Sequence, residues 1–65
     1  MSSHQEALFR AAYNGDIETV HKSLAAKGVR VDDGDSVGWT ALYWACTRNH
    51  VAVIDALLAA GADVN

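Results

Sequence analysis

Leu57-Leu58-Ala59-Ala60-Gly61-Ala62-Asp63-Val64-Asn65 has a blurred earlier copy in the same chain, Leu24-Ala25-Ala26-Lys27-Gly28-Val29-Arg30-Val31-Asp32, with one extra residue near Lys27. Upstream, Ala7-Leu8-Phe9-Arg10-Ala11-Ala12 matches Ala41-Leu42-Tyr43-Trp44-Ala45-Cys46 at an offset of 34 residues, which falls to 33 past the extra residue. A self-match at that period signals stacked helical units, which bury a core only against one another. Such stacks bind; they rarely catalyse.

Each copy reads as helix, turn, helix. Ser3 with Glu6 forms a capping box at the start of the first helix. Leu8, Ala11 and Ala12 make its apolar face, and Asn14-Gly15 ends it. Ile17, Val20 and Leu24 stripe the second helix, with Gly28 as its left-handed cap. Val29 to Gly38 reads as turn and extended structure, with Asp33-Gly34 as the hairpin-type turn. Thr40 caps the third helix, whose core face is Leu42, Ala45 and Cys46. Asn49 stands where the first unit has Gly15, and the fourth helix carries Val51, Ile54, Leu57 and Leu58 up to Gly61.

The 65 residues, 51% hydrophobic and 20% charged, suit one small globular domain. A net charge of −3 offers no basic field for a phosphate backbone, so nucleic acid is not an expected ligand. The single cysteine rules out an internal disulfide. Neither a secretory signal nor an apolar run of membrane-spanning length occurs, so no membrane association is expected and an intracellular location, cytoplasmic or nuclear, follows.

Asp35-Ser36-Val37-Gly38-Trp39-Thr40-Ala41-Leu42-Tyr43-Trp44-Ala45-Cys46, then Asn49-His50 and Gly61-Ala62-Asp63-Val64-Asn65, resembles an ankyrin repeat. The family pattern is D-x-x-G-x-T-P-L-H-x-A-A, then G-H, then L-L-x-x-G-A-D-V-N. Ala41 replaces the motif proline and Tyr43 its histidine, which removes the bond that threonine and histidine usually share. The expected fold is all-α: an ankyrin-repeat solenoid fragment of two helix-turn-helix units joined by a short β-hairpin-like loop. Residues 3–32 read as an N-terminal capping repeat and 33–65 as a second repeat. Where the second unit has Trp44, Val53 and Leu57, the first has Arg10, Thr19 and Ser23, which suits an end facing no earlier unit. The second unit has no such polar side. The expectation is that the array continues past Asn65 or that the chain self-associates there.

Cys46 and His50 are spaced like two metal ligands on a helix, but nothing completes a set, and Cys46 reads as a small core residue. His4, His21 and His50 belong to no catalytic constellation. Asp32, Asp33 and Asp35 lack the spacing of a calcium loop and read as a solvated turn. No cofactor or metal is expected. Trp39, Tyr43, Trp44, Tyr13 and Arg48 are the residue types that anchor interfaces, with Trp44 assigned to packing between units. The resemblance implies that a protein partner docks on hairpin tips and the exposed side of each first helix. Carried over, that surface is Ser36, Val37, Trp39, Thr47 and Arg48, with Tyr13 and Asn14. It also implies Asn65 as a candidate for asparaginyl hydroxylation, since Asp63-Val64 precede it and Leu57 lies eight residues upstream; Asp32 is a poorer candidate. Three functions stay open: a non-catalytic interaction module, the targeting or regulatory region of a larger protein with activity downstream, and a truncated or engineered folding model.

Overall fold

The computed structural model describes residues 3–63. Its four helices are α1 (Ser3–Asn14), α2 (Ile17–Ala25), α3 (Ala41–Thr47) and α4 (Val51–Ala59), with no strand among the described residues. They form two helix-turn-helix pairs, and the second stacks on the first: α1 packs on α3 and α2 on α4.

Local chemistry sets the boundaries. Asp16 caps α2 through the Thr19 N–H at 3.2 Å, and Thr40 caps α3 through the Tyr43 N–H, also at 3.2 Å. The turn after α1 needs Gly15 on two counts. Its φ is +77°, and a Cβ there would lie 2.6 Å from the His50 ring. Asn49 takes the same left-handed conformation in the second turn, with φ 58°. Ser3 is the first helical residue rather than the residue before the helix, and its predecessor lies outside the described residues.

Two turn assignments shift. α2 ends at Ala25 with Ala26 as its cap, so Gly28, left-handed as expected, belongs to the turn beyond. Asp33-Gly34 is not the hairpin turn. The loop folds over at Asp35–Trp39, where the Asp35 N–H donates to the Trp39 carbonyl at 2.8 Å and the Gly38 N–H to the Asp35 carbonyl at 2.9 Å. Gly34 serves close approach instead, since a Cβ there would meet the Gly38 carbonyl at 2.7 Å.

The core is Leu8, Phe9, Ala11, Ala12, Val20, Ala41, Leu42, Ala45, Val53 and Leu57. Val53 and Leu57 are wholly enclosed where α4 meets α2, and burying side chains of this size contributes roughly 1.5–3 kcal/mol each. Val51, expected inside, is 59% exposed, and Leu58 is 39% exposed. The helix Val51–Ala59 is apolar almost all round, so periodicity alone selects no face. Cys46 is exposed rather than core. The reason is visible in the first unit: Leu8, Phe9 and Ala12 are buried beneath the second pair, whereas their equivalents Leu42, Tyr43 and Cys46 face away from it and only Leu42 stays enclosed. Ser23, expected on a polar outer side, is 2% exposed, while Arg10 does face solvent.

Buried Gln5 fastens the chain after α2. Its amide donates to the Arg30 carbonyl at 3.0 Å and accepts the Arg30 N–H at 2.9 Å. Two further bonds join the pairs: the His50 Nε2–H donates to the Tyr13 carbonyl at 2.9 Å, and the Asp63 N–H to Asp32 Oδ1 at 2.7 Å.

Candidate functional site

The loop tip and the starts of α1 and α3 share one side of the molecule, and Asp35 organises it. One carboxylate oxygen accepts the Val37 and Trp39 N–H groups at 2.9 and 3.0 Å; the other accepts the Trp44 indole N–H at 2.9 Å. Desolvation pushes the Asp35 carboxyl up. The Trp44 indole and the backbone N–H groups of Trp39, Val37 and Gly38 outweigh it and hold the carboxyl below its ordinary value. The residue read as part of a solvated turn therefore fixes the loop to α3.

From that anchor a run of rings crosses the surface. Trp39 stacks on Tyr43 with centroids 4.0 Å apart and planes 12° apart. Tyr43 meets Trp44 edge-on at 5.5 Å, and Trp44 meets Tyr13 edge-on at 5.7 Å. The Arg48 guanidinium lies 4.8 Å from the Tyr13 ring centre, within cation–π range. Trp39 and Tyr43 remain 42% and 37% exposed, an unusual amount of ring surface to leave in water. Beside the run lies an open groove of about 600 Å³ lined by Glu6, Phe9, Arg10, Tyr13, Asp35, Ser36 and Trp44.

All seven residues named for a partner surface are exposed: Tyr13, Asn14, Ser36, Val37, Trp39, Thr47 and Arg48. Tyr13, Trp39 and Arg48 join the ring run, Ser36 borders the groove, and Val37 projects from the tip. The Thr47 hydroxyl donates back to the Trp44 carbonyl at 2.9 Å, and Asn14 stands at the end of α1 apart from the rings. Asn65 lies outside the described residues. The surface carried over from the resemblance left out two contributors, although Tyr43 stood among the interface-anchoring residue types. Tyr43, which occupies the motif histidine's position, continues the ring run; Asp35 opens the motif. The signal for Tyr43 was its place beside Trp44 and four residues after Trp39.

Residues 2–65 match the family described as ankyrin repeats (3 copies). The chain belongs to the ankyrin repeat family. It is 52% identical over 60 residues to ankyrin repeat domain-containing protein 40 of Mus musculus, covering 91% of this chain and 16% of that protein. It is 37% identical over 59 residues to palmitoyltransferase akr1 of Schizosaccharomyces pombe, covering 91% and 9%. With 26S proteasome non-ATPase regulatory subunit 10 of Rattus norvegicus it shares 35% over 54 residues, covering 83% and 23%. The chain thus spans less than a quarter of each of these relatives. Ankyrin repeats are generally non-catalytic modules for protein interaction. No helix among the described residues is long and apolar enough to cross a membrane.

Proposed function

We propose that this chain is a non-catalytic recognition module, acting inside the cell in cytoplasm or nucleus. It presents Ser36, Val37, Trp39, Thr47 and Arg48, with Tyr13 and Asn14, to a protein partner. The observation that carries this is the exposed ring run from Trp39 to Tyr13 with Arg48 across its end, because aromatic and arginine side chains dominate interface energetics. Asp35 and the ring contacts hold these groups in place before binding, so little ordering entropy is lost on docking. Residues 3–32 act as the N-terminal capping repeat and 33–65 as the second repeat. Its uncovered side is met by a further repeat or by a second copy of the chain.

The much longer relatives, one of them named as a palmitoyltransferase, favour a second reading. In it, these repeats are the targeting or regulatory region of a larger protein with activity downstream. Both readings use the same surface. Quantitative capture of lysate proteins on wild-type chain and on a Trp39→Ala, Arg48→Ala double variant tests it, with folding checked by circular dichroism. Partners held by the wild type should be lost from the variant, since each anchor contributes about 2 kcal/mol or more. A partner held equally by both places recognition elsewhere.

A further inference from the structure

The turn that closes the first helix pair is made by Asn14 and Gly15. Asparagine is thermolabile because the next residue's main-chain nitrogen can attack its side-chain carbonyl carbon. A side chain on that next residue obstructs the attack, and glycine has none. Here no other residue serves: Gly15 has φ +77°, and a Cβ would lie 2.6 Å from the His50 ring. The residue that the turn demands is therefore the one that opens Asn14, which is exposed, to cyclisation.

The folded turn holds the reaction back. Asn14 is the last residue of α1, and ring closure needs an eclipsed χ1 and a backbone angle outside the helical well. The attacking nitrogen is also engaged: the Gly15 N–H donates to the Ala11 carbonyl at 2.8 Å, beside the Asp16 N–H at 3.0 Å. From the second pair, the His50 ring covers Gly15, and its Nε2–H holds the Tyr13 carbonyl, the one next to Asn14, at 2.9 Å. We infer that Asn14 is a deamidation site gated by the joint between the helix pairs: it reacts only when His50 lifts away and the turn opens. Turn and guard both lie within residues 11–50, so the gate is complete without any unit beyond the second. It does not rest on the recognition reading, although it alters a residue of the surface named there.

Water is the only co-reactant. The Gly15 nitrogen yields its proton to solvent and bonds to Asn14 Cγ, and the side-chain nitrogen leaves as ammonia with a proton returned from solvent. Water then opens the five-membered imide. Breaking the new N–Cγ bond gives aspartate; breaking the bond to the main-chain carbonyl carbon gives isoaspartate, whose main chain runs through Cβ and Cγ. Isoaspartate lengthens the chain where His50 leaves no room, and aspartate sets a negative charge at the C-terminal end of α1, against the helix dipole. Either product closes the turn less well, so each opening that reacts makes the next one easier.

The test ages the wild-type chain beside the peptide Ac-Ala-Ala-Tyr-Asn-Gly-Asp-Ile-amide at neutral pH in graded urea. Mass spectrometry of proteolytic fragments, with enzymatic methylation of isoaspartate, reads the exchange of amide for acid at Asn14. In native buffer the chain should react about tenfold or more slower than the peptide, and it should approach the peptide's rate as urea opens it. In the unfolded chain Asn14 should react ahead of Asn49, where the His50 side chain obstructs attack. His50→Ala, shown by circular dichroism to be folded, should age severalfold faster than wild type in native buffer. Three results overturn the proposal. One is a native rate equal to the peptide's, which needs no variant to fold. Another is Asn49 reacting as fast as Asn14 in urea. The third is a folded His50→Ala variant that ages at the wild-type rate, which would place the protection in α1 alone.

Discussion

Leu57 and Leu58 are neighbours in one helix, equal in sequence character, and the structure assigns them different work. Leu57 is 0% exposed where α4 meets α2; Leu58 is 39% exposed on the uncovered side. Leu57→Ala should therefore remove the transfer term and leave a cavity, at about 2–5 kcal/mol. A chain of this length has a total stability of about 3–10 kcal/mol, so this one change takes from about a fifth to all of it. Leu58→Ala loses partial burial and leaves no enclosed void, and about 1 kcal/mol or less is expected. At roughly 4–8 °C per kcal/mol for a small domain, the two melting temperatures should lie at least about 4–8 °C apart. Circular dichroism melts, each run at several protein concentrations, measure this directly. Equal shifts, or a larger one for Leu58→Ala at every concentration, would refute the α4 orientation described above.

Trp44→Phe keeps a ring on α3 but removes the donor to Asp35, and a lower melting temperature at neutral pH is expected. The folded-state value of Asp35 is lowered, so its contribution is present above the ordinary carboxylate value near 4 and lost as pH falls through the folded value. The gap between variant and wild type should narrow on acidification; an unchanged gap at pH 2 would show that the charge plays no part. Gly15→Ala should destabilise by more than about 1 kcal/mol, because positive φ and the His50 ring both oppose a Cβ. His50→Ala itself loses the bond to Tyr13, so the steric share is read as the coupling in a cycle of the two single variants and the double variant by urea melts.

The repeat offset and the turn residues made the four helices legible, because left-handed positions and spacing are written locally. Gly15 and Asn49 show this, and so does Thr40. Burial was less legible, because it depends on what lies opposite. Ala12 and Cys46 occupy one motif position, yet Ala12 is buried beneath the second pair and Cys46 is exposed. In α4, apolar apart from Asp55, only the neighbouring helix selects Val53 and Leu57 over Val51. Polar residues misled in the opposite sense. Gln5 and Ser23 are buried, and Asp35, grouped with two exposed aspartates, anchors the loop. The candidate surface drew on residue types that the sequence displays, whereas its continuity through Tyr43 depends on ring geometry.

The two bonds between the helix pairs have a mechanical consequence. His50 reaches Tyr13 at one end of the joint, and Asp63 reaches Asp32 at the other. A joint pinned at a single edge works as a hinge; one pinned at both ends resists bending and twisting alike. Separating the pairs means breaking both pins, parting the Tyr13 ring from Trp44 and Arg48, and uncovering Val53 and Leu57, so opening is resisted at every edge of the joint. The slowest-exchanging amides of α2 and α4 should then share a single opening energy, the two pairs behaving as one rigid unit.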